Sequence, residues 1–240
     1  MLHILKTKDD VLNAAAEYFV KTANEAIAKQ ERFTVALSGG SSPKGLFELL
    51  ASHYHSKTDW SKVYFFFGDE RYVPSDHPDS NALMAKKALF DPLKIEAHQI
   101  FTIDTSFDPK AAAEAYQTKI ETHFAPGPPT FDLILLGLGD DAHTASLFPH
   151  TDVVNATEAG VKEIFVQDKN VYRITFTAPL INNAHHIAFL LFGNSKADAV
   201  RQVLQGSKNY NLYPAQLIQP TTGVVEWFMD EAAAAKINSN

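Results

Sequence analysis

Apolar positions recur along this chain in two rhythms that alternate. After a possible cap at Thr7 to Asp10, Val11, Ala15, Phe19, Ala23 and Ile27 fall every four residues, the stripe of an amphipathic helix. Phe33 to Leu37 then reads as a short buried strand. Pro43 to His53 reads as a helix with its proline in the first turn. Val63 to Phe67 reads as a second strand, Asn81 to Phe90 as a helix, and Ile100 to Ile103 as a short strand. Asp108-Pro109 opens an alanine-rich helix that runs to about Phe124, and Ala125-Pro126-Gly127-Pro128-Pro129 breaks it. Phe131 to Leu136, Tyr172 to Phe176 and Ile187 to Phe192 read as strands. Ser195 to Gln205 and Val224 to Ala235 read as helices, with Trp227 packing the last one into the core.

Strands alternating with helices predict an α/β fold: an open, mainly parallel, Rossmann-like sheet with helices on both faces. No repeat or long linker interrupts the pattern, so residues 1–240 are expected to form one domain. Ligands of such sheets bind beyond the carboxyl ends of the strands. The unusual residues of this chain lie there.

Ser38-Gly39-Gly40-Ser41-Ser42-Pro43 follows the first strand of the pattern. Its glycines permit close approach to a ligand, and the coming helix offers free N–H groups to an anion. An ordinary turn with a serine cap would look the same. Gly68-Asp69-Glu70-Arg71-Tyr72-Val73-Pro74 follows the second strand and leads to Ser80-Asn81. Arg71 can grip a phosphate or carboxylate with its planar fork, or it can pair with Asp69 or Glu70 to fix the loop. Gly137 to Pro149 follows the run Phe131 to Leu136 and carries His143 two residues after Asp141. Histidine titrates near neutrality and suits general-base work, and a carboxylate beside it can fix its tautomer. Arg173 lies in a strand segment, and Lys196 stands at a helix start, where the dipole disfavours a cation unless an anion is bound.

Composition narrows the field. Hydrophobic residues make up 45% of the 240 and charged residues 20%, which excludes a disordered chain. The formal charge is −7, so a nucleic-acid partner is not expected. Cysteine is absent, which removes disulfides, thiolate nucleophiles and Cys-based zinc sites. His185-His186 point to opposite sides of an extended chain, His53 and His55 close a helix, and no His-Glu-x-x-His set occurs, so no metal is expected. Apolar runs are too short for a membrane span, and no secretory signal is visible; the expected address is the cytoplasm.

Taken in order, these motifs resemble the 6-phosphogluconolactonase family. The matching residues are Ser38-Gly39-Gly40 with Pro43, Gly68 to Arg71 with Val73-Pro74 and Ser80-Asn81, and Asp141 to Pro149. Arg173 with Thr175, Ile181-Asn182, Lys196-Ala197, Pro220, Gly223, Trp227 and Asp230 extend the resemblance over nearly the whole chain. The related glucosamine-6-phosphate deaminase branch typically has Asp-Glu-Tyr at Asp69 to Arg71, and an acidic residue in the segment here written His143 to Phe148. Both departures favour the lactonase branch. A sugar-phosphate-sensing regulator domain is a third possibility, but it is expected to carry a basic DNA-binding module that this chain lacks.

The resemblance implies hydrolysis of 6-phosphoglucono-1,5-lactone without a cofactor. It implies His143 as the base that activates water, oriented by Asp141. Arg71 and Lys196 would hold the phosphate, Arg173 would add charge or brace the loop, and Ser38, Gly39, Gly40 and Ser41 would line the sugar or phosphate end. The partner is then a small sugar-phosphate lactone, with neither nucleic acid nor membrane; monomer and dimer are both compatible with it. The family usually has glycine where this chain has Ala142, a change free of strain only if φ is negative there.

Overall fold

The computed structural model describes residues 1–238. Nine strands run in chain order: β1 Leu2–Leu5, β2 Phe33–Leu37, β3 Val63–Phe67, β4 Asp69–Arg71, β5 Leu133–Leu136, β6 Val161–Val166, β7 Val171–Phe176, β8 His186–Leu191 and β9 Val224–Asp230. The α-helices are α1 Lys8–Gln30, α2 Ser41–His53, α3 Asn81–Ala85, α4 Asp91–Leu93, α5 Pro109–Phe124, α6 Ala178–Asn182 and α7 Ala197–Gln205.

Six strands form one parallel sheet in the order β1-β9-β8-β5-β2-β3, with helices on both sides. Every residue of β2 and β5 is buried, as central strands covered on both faces must be. Helix α1 begins with the expected capping box, in which the Asp10 N–H donates to Thr7 Oγ1 at 3.1 Å. Its stripe of Val11, Ala15, Phe19 and Ala23 is buried in the hydrophobic cluster that continues through the sheet.

The order of strands decides where a ligand can sit. From β2 the chain moves outward to β3, then returns to the other side of β2 as β5 and continues through β8 to β9. Adjacent loops leaving β2 and β5 therefore diverge in opposite directions and open a crevice at the carboxyl edge.

A second sheet, β4-β7-β6, is antiparallel and small. Gly68 alone separates β3 from β4, and it ties the two sheets together: its N–H donates to Leu37 O at 2.9 Å, and its carbonyl accepts from the Phe176 N–H at 2.8 Å. The small sheet thus stands at the carboxyl edge of the large one.

Several sequence expectations change. Val224–Asp230 is a strand rather than part of a helix, because β9 finds partners on both sides in β8 and β1. Short apolar runs are ambiguous by periodicity, and here sheet pairing outweighs the helix-forming alanines that follow. Trp227 is in the core as expected, but from the strand, stacked on Phe189 at 3.9 Å between ring centroids. Ile100 makes a single parallel bridge to Phe65 in place of a strand. The helix expected over Asn81 to Phe90 is α3 followed by a π-helical turn, Lys86–Phe90. Tyr172 to Phe176 lies in the antiparallel sheet, and β1, β4 and β6 have no counterpart in the sequence reading.

Candidate active site

The loop after β2 turns directly into α2. Gly40 has φ +104°, a conformation that favours glycine, and Ser41 is already the first helical residue rather than part of a loop. No side chain caps α2, and no acidic residue lies in its first turn. Its N-terminal N–H groups thus face the crevice without an intramolecular acceptor from a side chain. Gly39 is required by packing: a Cβ there would lie 1.8 Å from Asn81 Oδ1.

The loop after β5 folds back on itself. The Gly139 N–H donates to the His143 carbonyl at 2.8 Å, and the Ala142 N–H donates to the Gly139 carbonyl at 3.0 Å. This turn brings His143 Nδ1 to 2.5 Å from Asp141 Oδ1. The carboxylate accepts the Nδ1 proton and leaves Nε2 as the basic nitrogen of the neutral ring. Burial pushes the Asp141 carboxyl up, but the hydrogen bond and charge of His143 outweigh it and hold the group at about 2. A value below the ordinary one of 3.8 means that this contact adds stability above that pH, and the contribution fades as pH falls to about 2. The His143 ring stacks on Phe148 at 4.1 Å.

Ala142 has φ +62°, so the condition for a strain-free alanine is not met. A left-handed alanine costs roughly 1 kcal/mol relative to its usual conformations. Replacement of Ala142 by glycine is expected to raise unfolding stability by about 1 kcal/mol in urea titrations. An unchanged or lowered midpoint would show that the turn carries no strain there.

The segment after β3 separates its charges by task. The Glu70 carboxylate accepts from the N–H groups of Arg71, Asn81 and Ala82 at 2.7, 2.8 and 2.9 Å, and from Ser80 Oγ at 3.2 Å. Burial pushes its carboxyl up against the pull of these donors. Asp69 is also buried and accepts from Ser146 Oγ at 2.7 Å, which ties the histidine loop to β4. Both acids are thus occupied elsewhere, and the alternative of a local acid–arginine pair is not what fixes the loop. Arg71 instead donates to the Asp79 carbonyl at 2.9 Å.

Arg71 and Arg173 lie directly opposite each other in the β4–β7 register. Burial, and then the neighbouring Arg71 charge, push Arg173 down. Its Nε is buried without a hydrogen-bond partner. Two arginines on facing positions, one with a buried donor left without a partner, have the chemistry to hold an anion. Lys196 Nζ lies 2.7 Å from Asp140 Oδ1, so a carboxylate offsets the charge at its helix-start position.

A cavity of about 320 Å³ joins these parts. Ser38, Gly39 and Gly40 line it from the loop after β2 and Ser41 from the start of α2, His143 from the loop after β5, and Arg71, Arg173 and Lys196 from three further segments. Asp141 reaches it through His143. Asp69, Ser146, Phe148 and Lys169 are among the lining residues that the sequence reading did not name as site residues. The first three stand inside motifs already noted, whereas Lys169 sits in the β6–β7 hairpin and arrives only through tertiary structure.

The profile described as glucosamine-6-phosphate isomerases/6-phosphogluconolactonase matches residues 6–227. The chain belongs to this family. Among its relatives, the 6-phosphogluconolactonase of Nostoc sp. is 41% identical over 99% of this chain and 98% of its own length. That of Synechocystis sp. is 41% identical over 98% and 97%. The crystal structure of 6-phosphogluconolactonase from Leishmania guyanensis superimposes with a TM-score of 0.88, at 28% identity, covering 100% of this chain and 99% of that one. Members of the family named as lactonases thus share the parallel sheet that carries the cavity. Among the described residues, no helix is long and apolar enough to cross a membrane, and no group of three His, Asp or Glu side chains could hold a metal ion.

Proposed function

We propose that this protein hydrolyses 6-phospho-D-glucono-1,5-lactone to 6-phospho-D-gluconate, the hydrolytic step of the oxidative pentose phosphate pathway, in one domain and without a metal. The observation that carries this reading is the meeting of an Asp141–His143 pair and two facing arginines in one cavity. A base alone would suit many hydrolyses. A base at one end and an anion grip at the other suit a substrate that carries its phosphate away from the reacting carbonyl.

His143 Nε2 takes a proton from water as the water oxygen attacks C1. The tetrahedral intermediate collapses, the bond from C1 to the ring oxygen breaks, and the imidazolium returns its proton to that oxygen. Asp141 holds the ring in the required tautomer and stabilises the transient positive charge. Arg71 and Arg173 hold the phosphate, with Lys196 adding charge while paired to Asp140. Ser38, Gly39, Gly40 and Ser41 line the sugar, and the uncapped end of α2 supplies N–H donors to anionic oxygen.

Arg71→Ala is expected to raise KM by about tenfold with a smaller effect on kcat, because it removes a charged contact made in ground and transition states alike. Steady-state kinetics decide this, and an unchanged KM would exclude Arg71 from the phosphate grip. The experiment that tests the metal-free reading is hydrolysis of fresh lactone after exhaustive chelation. Full activity is expected. A loss restored by an added divalent cation would contradict it.

A further inference from the structure

The hairpin between β6 and β7 sends one more cation to the cavity. Lys169 follows Val166 in a single 3-10 turn, Gln167–Lys169, and Asn170 reverses the chain with φ +51°. Lys169 Nζ lies 4.6 Å from the centroid of the Phe148 ring. That same ring stacks on His143 at 4.1 Å. Lys169 is therefore seated at the base end of the cavity, while Arg71 and Arg173 form a pair on the β4–β7 ladder. Lys169 and Phe148 also line an adjoining groove of about 850 Å³, which they separate from the cavity.

Hydrolysis changes the charge at this end. Water adds its oxygen to C1, the bond from C1 to the ring oxygen breaks, the ring oxygen takes up a proton, and the new carboxylic acid releases its own proton to solvent. A neutral ester has become a carboxylate beside His143. We propose that Lys169 binds this new carboxylate, holding the product at its reacted end and guiding it toward the groove. The proposal rests on the lactonase reading above. The ring of Phe148 fixes the lysine stem by cation–π attraction, so little freedom is lost when the anion forms. Nothing in the substrate itself calls for a cation at this position; the product does.

The test compares two ligands by calorimetry on the folded full chain. 6-Phosphogluconate carries phosphate and carboxylate, whereas glucitol 6-phosphate carries the phosphate alone. Lys169→Ala is expected to weaken 6-phosphogluconate about tenfold, the loss of one charge-assisted contact, and to leave glucitol 6-phosphate unchanged. Lys169→Arg should restore most of the difference. As a control, Arg71→Ala should weaken both ligands. In turnover, Lys169→Ala should relieve product inhibition while leaving KM for the lactone near its original value. Equal weakening of both ligands, or of neither, would overturn the assignment. A failure of the wild-type protein to hydrolyse the lactone would instead sink the lactonase reading, and the two failures are read by separate measurements.

Discussion

Replacing His143 by alanine is expected to lower kcat by a factor on the order of 100 or more, with KM changed much less. The reasoning starts from geometry. The Asp141 contact at 2.5 Å is on Nδ1, which leaves Nε2 free to accept a proton on the cavity side. No cysteine exists in the chain to offer another nucleophile. Two hydroxyls of the same loop are engaged in the scaffold: Thr144 Oγ1 donates to the Gly137 carbonyl at 2.8 Å, and Ser146 Oγ donates to the buried Asp69 carboxylate at 2.7 Å. His143 is one-quarter exposed and lies at the edge of the core, where its ring stacks on Phe148, so the variant should remain folded. Circular dichroism and thermal melting check the fold, and initial rates check the chemistry. A variant that folds and turns over at the wild-type rate would remove His143 from the mechanism.

Gly139→Ala is expected to produce a loss of similar size without touching either member of the pair. A Cβ on residue 139 would lie 2.0 Å from His143 Nδ1 and 2.3 Å from Asp141 Oδ1. Both atoms belong to the hydrogen bond that sets the histidine tautomer, and neither can stay in place. A displacement of about 1 Å at a reacting group can cost on the order of 100-fold in rate. The backbone bond from the Gly139 N–H to the His143 carbonyl would be disturbed at the same time. The expected result is a low kcat, a KM near wild type and a cooperative unfolding transition. Retained activity would mean that the pair can move without cost, and the orienting role given to Asp141 would fall with it.

Much of the frame could be read from the chain. β2 and β3 occupy the residues expected for them, because a strand buried on both faces writes itself as a mostly apolar segment, FTVAL in β2 and VYFFF in β3. α1 and α5 declare themselves by their caps at Thr7 and Asp108. The segments that follow β2, β3 and β5 hold most of the residues that line the cavity, as strand-end chemistry in parallel sheets predicts. β9 was hidden, since its identity depends on two neighbours far away in sequence. The small sheet was hidden as well: β4 has three residues, all charged, and only its pairing with β7 makes it a strand. That pairing is what sets Arg71 opposite Arg173, so the proposed phosphate grip could be suspected from the sequence but not assembled. The division of labour between Glu70 and Arg71 was likewise invisible. Adjacent acid and base invite an ion-pair reading, yet the carboxylate is taken by backbone donors of α3 and the guanidinium is left for the cavity. Lys169 carries no local signal at all.

The most direct test of this account is the initial rate of hydrolysis of freshly prepared 6-phospho-D-glucono-1,5-lactone, with the spontaneous reaction subtracted and glucosamine 6-phosphate assayed in parallel. The account predicts a rate far above the spontaneous one, proportional to protein concentration, with no ammonia released from the amino sugar. A rate equal to the spontaneous one, or ammonia release in its place, would contradict it.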